Sequence, residues 1–166
     1  GMSVTPKREE AIAFSIPYGS TGQTFGVLKS SPLAALPRKG EVFSLATSEA
    51  EAVKAIEELK PLLKGAVVGV QGSSIAAAFL DRYLKGVVEV REYKTTEQHD
   101  LDLFSGRIDA VMASTAYLST AAERPAAEAM VIAGPRFMGG ILGKGSAVGL
   151  RKSDPELKEK FDAAIA

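Results

Sequence analysis

Small hydroxyl residues follow two apolar segments of this sequence, at positions where a helix can begin. Gly72, Ser73 and Ser74 come one residue after the apolar run Val67–Val70, and Ser114 follows a second apolar run. When a strand leads through small residues into a helix, the first helical amides have no intrahelical partner and are accessible to solvent. These amides and the positive end of the helix dipole both attract an anion. Serine at such a position is also a preferred N-cap. The residues alone therefore allow an anion site, a pair of helix caps, or both.

A serine nucleophile is the enzymatic alternative for Ser73 or Ser74. Acyl transfer needs a base within reach of the hydroxyl, and the single histidine, His99, lies in a polar segment where a solvated helix start is expected. No G-x-S-x-G elbow occurs in the sequence. The glycines at 69–72 and 138–145 also lack the spacing of dinucleotide and phosphate-loop sites. We therefore expect a binding protein rather than an enzyme, with no cofactor and no metal site.

The composition indicates one well-buried core without a charge bias. The 166 residues are 46% hydrophobic and include 20 basic and 20 acidic side chains. Because the charge is balanced and no basic cluster occurs, neither nucleic acid nor an anionic membrane is an expected partner. The sequence has no cysteine, which excludes disulfides and thiolate metal ligands but leaves the compartment open. No apolar run approaches the roughly 18 residues of a spanning helix, and we expect no signal peptide in this chain.

Strand signals and helix signals alternate along the chain. Strands of the main sheet are predicted at 24–29, 67–70, 87–91, 108–113 and 130–133, and helices are predicted to begin near residues 5, 48, 74, 97, 114 and 154. The helix near residue 97 is expected to turn Leu101 and Phe104 inward. This alternation predicts an α/β fold with a mostly parallel five-stranded sheet between two helical layers, in which Val67–Val70 is the central strand. Ligands bind beyond the carboxyl ends of such strands, where both serine turns are expected.

Four motifs occur in one order over nearly the whole chain. They are SVTPKR at 3–8 with AFS and PY shortly after it, VGVQGSS at 68–74, LFSGRIDA at 103–110 and VGLRK at 148–152. In this the sequence resembles the solute-binding proteins of polar amino-acid and opine ABC transporters, bacterial extracellular solute-binding protein family 3. The resemblance implies a periplasmic-binding-protein-like lobe of type II. It also implies a periplasmic protein that delivers an amino acid or opine to a membrane permease and catalyses nothing. A ligand-sensing domain of a signalling or regulatory protein on the same fold is the alternative.

The resemblance also assigns ligand-binding roles to particular residues. Arg8 matches the arginine that grips the α-carboxylate of the ligand, a task for which a planar guanidinium is suited. The amide and hydroxyl near Ser74 match the second hold on that carboxylate. Gly72 and Ser73 line the same turn, and Val70, at the end of the strand before it, completes the expected set.

Ser114 departs from the family pattern. Amino-acid binders of the family usually have an aspartate at this position, which pairs with the α-ammonium of the ligand. An ammonium without a carboxylate partner is poorly satisfied, so an ordinary α-amino acid is a less natural ligand here. An opine carries a second carboxylate on that nitrogen, which an aspartate would repel and a serine can hydrogen-bond. The resemblance therefore favours the opine-binding branch.

The resemblance covers only part of a two-lobed protein. It implies that residues 1–20 are a remnant of the first lobe plus a hinge, that 21–147 form the second ligand-binding lobe, and that 148–166 return to the first lobe. The apolar face of the last helix, with Leu157, Phe161 and Ile165, is then expected to be exposed. Two copies of this chain covering each other's exposed faces would form a homodimer.

Overall fold

The structure is a computed structural model that describes residues 1–20, 22–124 and 129–166. Its helices are α1 (Pro6–Ala11), α2 (Glu49–Leu63), α3 (Ile75–Tyr83), α4 (Thr96–Phe104), α5 (Thr115–Ala122) and α6 (Pro155–Ile165). Its strands are β1 (Met2–Ser3), β2 (Ala13–Phe14), β3 (Gln23–Leu28), β4 (Val42–Ser44), β5 (Val67–Gln71), β6 (Glu89–Tyr93), β7 (Ala110–Ser114), β8 (Met130–Met138), β9 (Ser146–Ala147) and β10 (Gly149–Leu150). The expected α/β alternation is confirmed.

The main sheet has six strands in the order β4-β8-β3-β7-β5-β6. Three neighbouring pairs are parallel (β4 with β8, β7 with β5, β5 with β6), whereas β3 is antiparallel to both β7 and β8. The mostly parallel sheet is confirmed, but the predicted count of five strands is wrong by one. The additional strand is β4, whose three residues at the edge of the sheet are too few to show a periodic pattern. Also, β5 is an interior strand next to the edge strand β6 and not the middle strand, because an apolar run indicates two covered faces but not a place in the order.

Alternate residues of β7 point towards different helical layers, one on each face of the main sheet. Ala110 and Met112 belong to one core cluster, which also contains apolar residues of α2 and α3. Val111 and Ala113 face the other way, into a second cluster with residues of α4 and α5. Because successive strand residues point to opposite faces, this division establishes the three layers.

Helix α4 packs differently from the sequence expectation. Its buried residues are His99, Asp100 and Leu103, whereas Leu101 is 67% exposed. The expectations of a solvated His99 and an inward Leu101 are therefore both wrong. His99 and Leu103 are four residues apart and share one helix face, which lies close to Gly69 of β5, so that a Cβ at Gly69 would come within 3.1 Å of the His99 Cβ. The polar neighbours of His99 in sequence hid this inward face.

The two ends of the described chain pair with each other. Strand β1 pairs with β9, and β2 pairs with β10, both antiparallel. Val4, Phe14 and Ala147 form a small cluster apart from the two main ones. Asp162 of α6 accepts a hydrogen bond from the Ile16 amide at 2.7 Å, yet α6 has no buried residue.

Candidate functional site

A cavity of about 540 Å³ lies beyond the carboxyl ends of β5 and β7. These two strands are parallel neighbours in which Val70 is level with Met112, so their ends reach the same edge of the sheet. Most of the cavity wall is polar or small, and its lining includes Ser3, Arg8, Gln23, Gln71, Ser74, Thr96, Ser114, Tyr117 and Ser146. The site therefore lies where α/β sheets usually bind ligands.

Three of the predicted ligand-binding residues meet at this cavity, namely Arg8, Ser74 and Ser114. The structure does not bring the other three to its wall. Val70 is fully buried in the core on the side of α2 and α3. Ser73 is exposed and has a positive φ of 57°, which lets the chain turn sharply from β5 into α3. The amide of Gly72 donates to the Tyr93 carbonyl at 2.9 Å, so it extends the pairing of β5 with β6.

Ser74 and Ser114 have the same local geometry. The Ser74 hydroxyl oxygen accepts a hydrogen bond from the Ala77 amide at 3.1 Å and caps α3. The Ser114 hydroxyl oxygen accepts from the Tyr117 amide at 3.1 Å and caps α5. In both cases the hydroxyl keeps its proton for a second partner, and the first helical amides have no intrahelical bonds. In α5, however, the Thr115 amide already donates to the Gly22 carbonyl at 3.1 Å. The cap and the anion site are thus compatible in each turn.

Arg8 supplies the charge of the site. It is the only charged side chain among the described residues that line the cavity. Its Nη1 donates to the Ser3 carbonyl at 3.0 Å, and the side chain is partly buried. Among the residues that the structure describes, no carboxylate forms an ion pair with Arg8. A guanidinium in this state can accept the carboxylate of a ligand as a new partner.

Other polar residues of the wall were missed by the sequence analysis. Gln23 and Gln71 stand at the ends of β3 and β5, and Thr96 opens α4. Tyr117 lies one turn after the Ser114 cap. A polar residue at the open end of a buried strand is a usable signal for Gln71, whereas Gln23 and Thr96 reach the cavity only through the order of the strands.

Tyr117 is tied to a buried acid. Its hydroxyl donates to Asp100 Oδ2 at 2.6 Å. Burial, and then the hydrogen bond to Asp100, raise the pKa of Tyr117 to about 12, while Thr96 acts in the opposite direction. The phenol is therefore neutral at ordinary pH, with its proton directed away from any ligand.

Neither a metal site nor a membrane-spanning helix is found in the described ranges 1–20, 22–124 and 129–166. No group of three or more His, Asp or Glu side chains there is arranged to hold a metal ion. No helix in these ranges has the length and apolar character needed to cross a membrane.

The whole chain, residues 1–166, matches the family model described as bacterial extracellular solute-binding proteins, family 3. The chain belongs to this family. A relative within family 3 is the octopine-binding periplasmic protein of Rhizobium meliloti, 49% identical over 160 residues that cover 96% of this chain and 54% of the relative. The L-arginine-binding protein of Pseudomonas aeruginosa is 28% identical over 99% of this chain and 56% of its own length.

The fold agrees with solved structures of such binders. An ancestral arginine-binding protein bound to arginine superimposes with a TM-score of 0.74 at 25% identity, over 99% of this chain and 61% of the other. The chain spans about half the length of the curated relatives it matches. The type II lobe expected from the sequence is confirmed. The family and these relatives are binding proteins and not enzymes.

Proposed function

We propose that this chain is part of the solute-binding component of an ABC uptake system, which captures a polar amino acid or opine in the periplasm and delivers it to the membrane permease. The observation that carries the proposal is the meeting of Arg8 with two capped helix amino-termini, at Ser74 and Ser114, around one cavity. A cation and the amino-terminal turns of two helices at one edge form a binding site for an anionic head group. The site binds without catalysing a reaction. The family 3 relatives give no support to a ligand-sensing role.

The ligand that best fits this wall is an opine. An α-amino acid presents an ammonium, yet no carboxylate is among the described residues that line the cavity. An opine presents a second carboxylate near the same nitrogen, and the Ser114 hydroxyl can donate a hydrogen bond to that carboxylate. The 49% identity to an octopine-binding protein supports this choice.

Calorimetry on the full-length product of the gene tests the proposal. Octopine and nopaline should bind at least about tenfold tighter than arginine and lysine, a difference of roughly 1.4 kcal/mol, because only the opines supply the second carboxylate. Equal or tighter binding of the plain amino acids would remove the opine assignment and leave an amino-acid binder. If none of the four compounds bound, the uptake function itself would be contradicted.

We also propose the division of the chain into two units. Residues 21–147 form the second ligand-binding lobe, and residues 1–20 and 148–166 belong to the first lobe, with residue 21 outside the described part. The antiparallel pairing of β2 with β10 supports this, as does the hydrogen bond between Asp162 and Ile16, because these contacts join the two ends of the chain to each other.

Two copies of this 166-residue chain are predicted to form a homodimer through 3–18 or 153–166. Leu157 is 39% exposed, and Ile16 and Tyr18 are 39% and 52% exposed on the segment that contacts α6. Light scattering at high micromolar concentration should give twice the 17.4 kDa of one chain. Leu157→Glu should return it to a monomer, whereas Leu101→Glu, at a more exposed leucine of α4, should leave it a dimer. A monomer in the unsubstituted chain would contradict the prediction.

A further inference from the structure

A buried carboxyl group lies directly behind the cavity wall. Asp100 is only 6% exposed, and one of its oxygens, Oδ2, accepts the hydrogen bond from the Tyr117 hydroxyl at 2.6 Å. Its other oxygen, Oδ1, lies 2.9 Å from Nδ1 of the fully buried His99. These two atoms are close but do not form a hydrogen bond, and neither has another partner among the described residues. Tyr117 is therefore the group that links Asp100 to the cavity.

The direction of this hydrogen bond determines what Tyr117 can do for a ligand. A phenol has one proton to donate and lone pairs to accept with. The hydroxyl proton of Tyr117 is engaged in the hydrogen bond to Asp100, so towards a ligand the Tyr117 oxygen can only accept a hydrogen bond. Tyr117 is itself one of the residues that line the cavity, which places it within reach of a ligand there. Hydrogen bonds in a chain polarise one another, so an acidic acceptor behind the phenol makes its oxygen a better acceptor.

We infer that Asp100 is a positioning residue that acts through Tyr117, and that the Tyr117 oxygen accepts a hydrogen bond from a cationic N–H group of the ligand. The inference rests on the proposed function and adds to it the partner of the ligand nitrogen. Ser114 leaves that nitrogen without a carboxylate in direct contact. Asp100 supplies the negative charge one hydroxyl farther back, where it is too remote to repel the second carboxylate of an opine strongly.

A second tyrosine–aspartate pair, whose aspartate also lies on α4, provides a matched control. The Tyr93 hydroxyl donates to Asp102 Oδ2 at 2.8 Å. The Tyr93 ring meets His99 edge to face at a centroid distance of 6.2 Å, and the Tyr117 ring meets it in the same way at 6.3 Å. Tyr93, however, is not among the residues that line the cavity. A role in stability alone would make the two pairs equivalent, whereas a role in ligand binding separates them.

The test measures octopine binding by calorimetry on the full-length product and its variants. Tyr117→Phe and Asp100→Asn should each weaken binding by about tenfold, and the double variant by little more than either, because both changes break one linked unit. Tyr93→Phe and Asp102→Asn should leave the dissociation constant within about twofold, whatever they do to the melting temperature. Additive effects of Tyr117→Phe and Asp100→Asn, or an equal loss in the control pair, would overturn the inference.

A second measurement covers the case in which Asp100→Asn fails to fold. An octopine analogue whose secondary amine is replaced by an ether oxygen has no N–H group at that position, while its guanidinium keeps its own N–H groups. Tyr117→Phe should lose affinity for octopine and not for this analogue, and an equal loss for both would overturn the inference. If octopine binds the unsubstituted protein but Tyr117→Phe changes nothing, the inference fails and the proposed function stands. If no tested solute binds the unsubstituted protein, both fail.

Discussion

Replacing Arg8 with alanine is expected to weaken octopine binding to the full-length product by at least about a hundredfold. A hydrogen bond to a charged group contributes about 1.5 to 3 kcal/mol, and a guanidinium can make two such bonds to one carboxylate, so the loss is about 3 kcal/mol or more. No other charged side chain among the described cavity residues can take over this contact. Calorimetry with the unsubstituted protein as reference measures the change directly.

Two further variants separate the charge of Arg8 from its shape. Arg8→Lys keeps the positive charge but not the planar fork, so its loss should fall between those of the unsubstituted protein and Arg8→Ala. Lys7→Ala removes an exposed cation from the same helix and should leave binding unchanged. A change of less than about threefold in Arg8→Ala would show that the ligand carboxylate is bound elsewhere.

Ser114→Asp is expected to reverse the preference of the site. The ratio of the octopine affinity to the arginine affinity should fall by about a hundredfold. The new carboxylate would pair with the α-ammonium of arginine and would repel the second carboxylate of octopine, each effect being worth about 1.4 kcal/mol. Aspartate is also a good N-cap, so it can accept the Tyr117 amide as Ser114 does, and α5 should form normally. Competition calorimetry with the two ligands on one preparation gives the ratio.

Ser114→Asn is the matched control, because asparagine has nearly the shape of aspartate, caps helices equally well and carries no charge. It should change the octopine-to-arginine ratio much less than Ser114→Asp does. If both variants moved the ratio equally, the size of the side chain and not its charge would decide the preference. An unchanged ratio in Ser114→Asp would contradict contact between residue 114 and the ligand nitrogen.

Local chemistry made part of the fold and site predictable. The caps at Thr5, Ser74 and Ser114 depend on a side chain and an amide three residues away, and all three occur as expected. The apolar runs before Ser74 and Ser114 gave parallel strands, whose ends necessarily meet at one edge of the sheet. The pairing of these two turns at one cavity follows from such short-range signals.

Features that depend on tertiary packing were not predictable in this way. His99 is surrounded by polar residues in sequence, and its burial results from the close approach of α4 to Gly69. Strand β8 was predicted to end at residue 133 but continues past Gly134 and Pro135 to Met138, because its neighbours β3 and β4 supply partners along that length. Nothing in the sequence around Tyr117 indicates a buried acid beside its hydroxyl, because Asp100 belongs to another helix and comes close only in the folded chain.

The double role of the two serine turns restricts how such a site can change over time. At Ser74 and Ser114 the residue that lines the cavity is also the one that caps a helix. A replacement that cannot cap, such as alanine, would cost about 1 kcal/mol of stability in addition to any effect on binding. Viable substitutions are therefore drawn from Ser, Thr, Asp, Asn and Gly, which include both a neutral and an acidic side chain. A lineage can thus change the charge at residue 114 through intermediates that all keep the cap of α5.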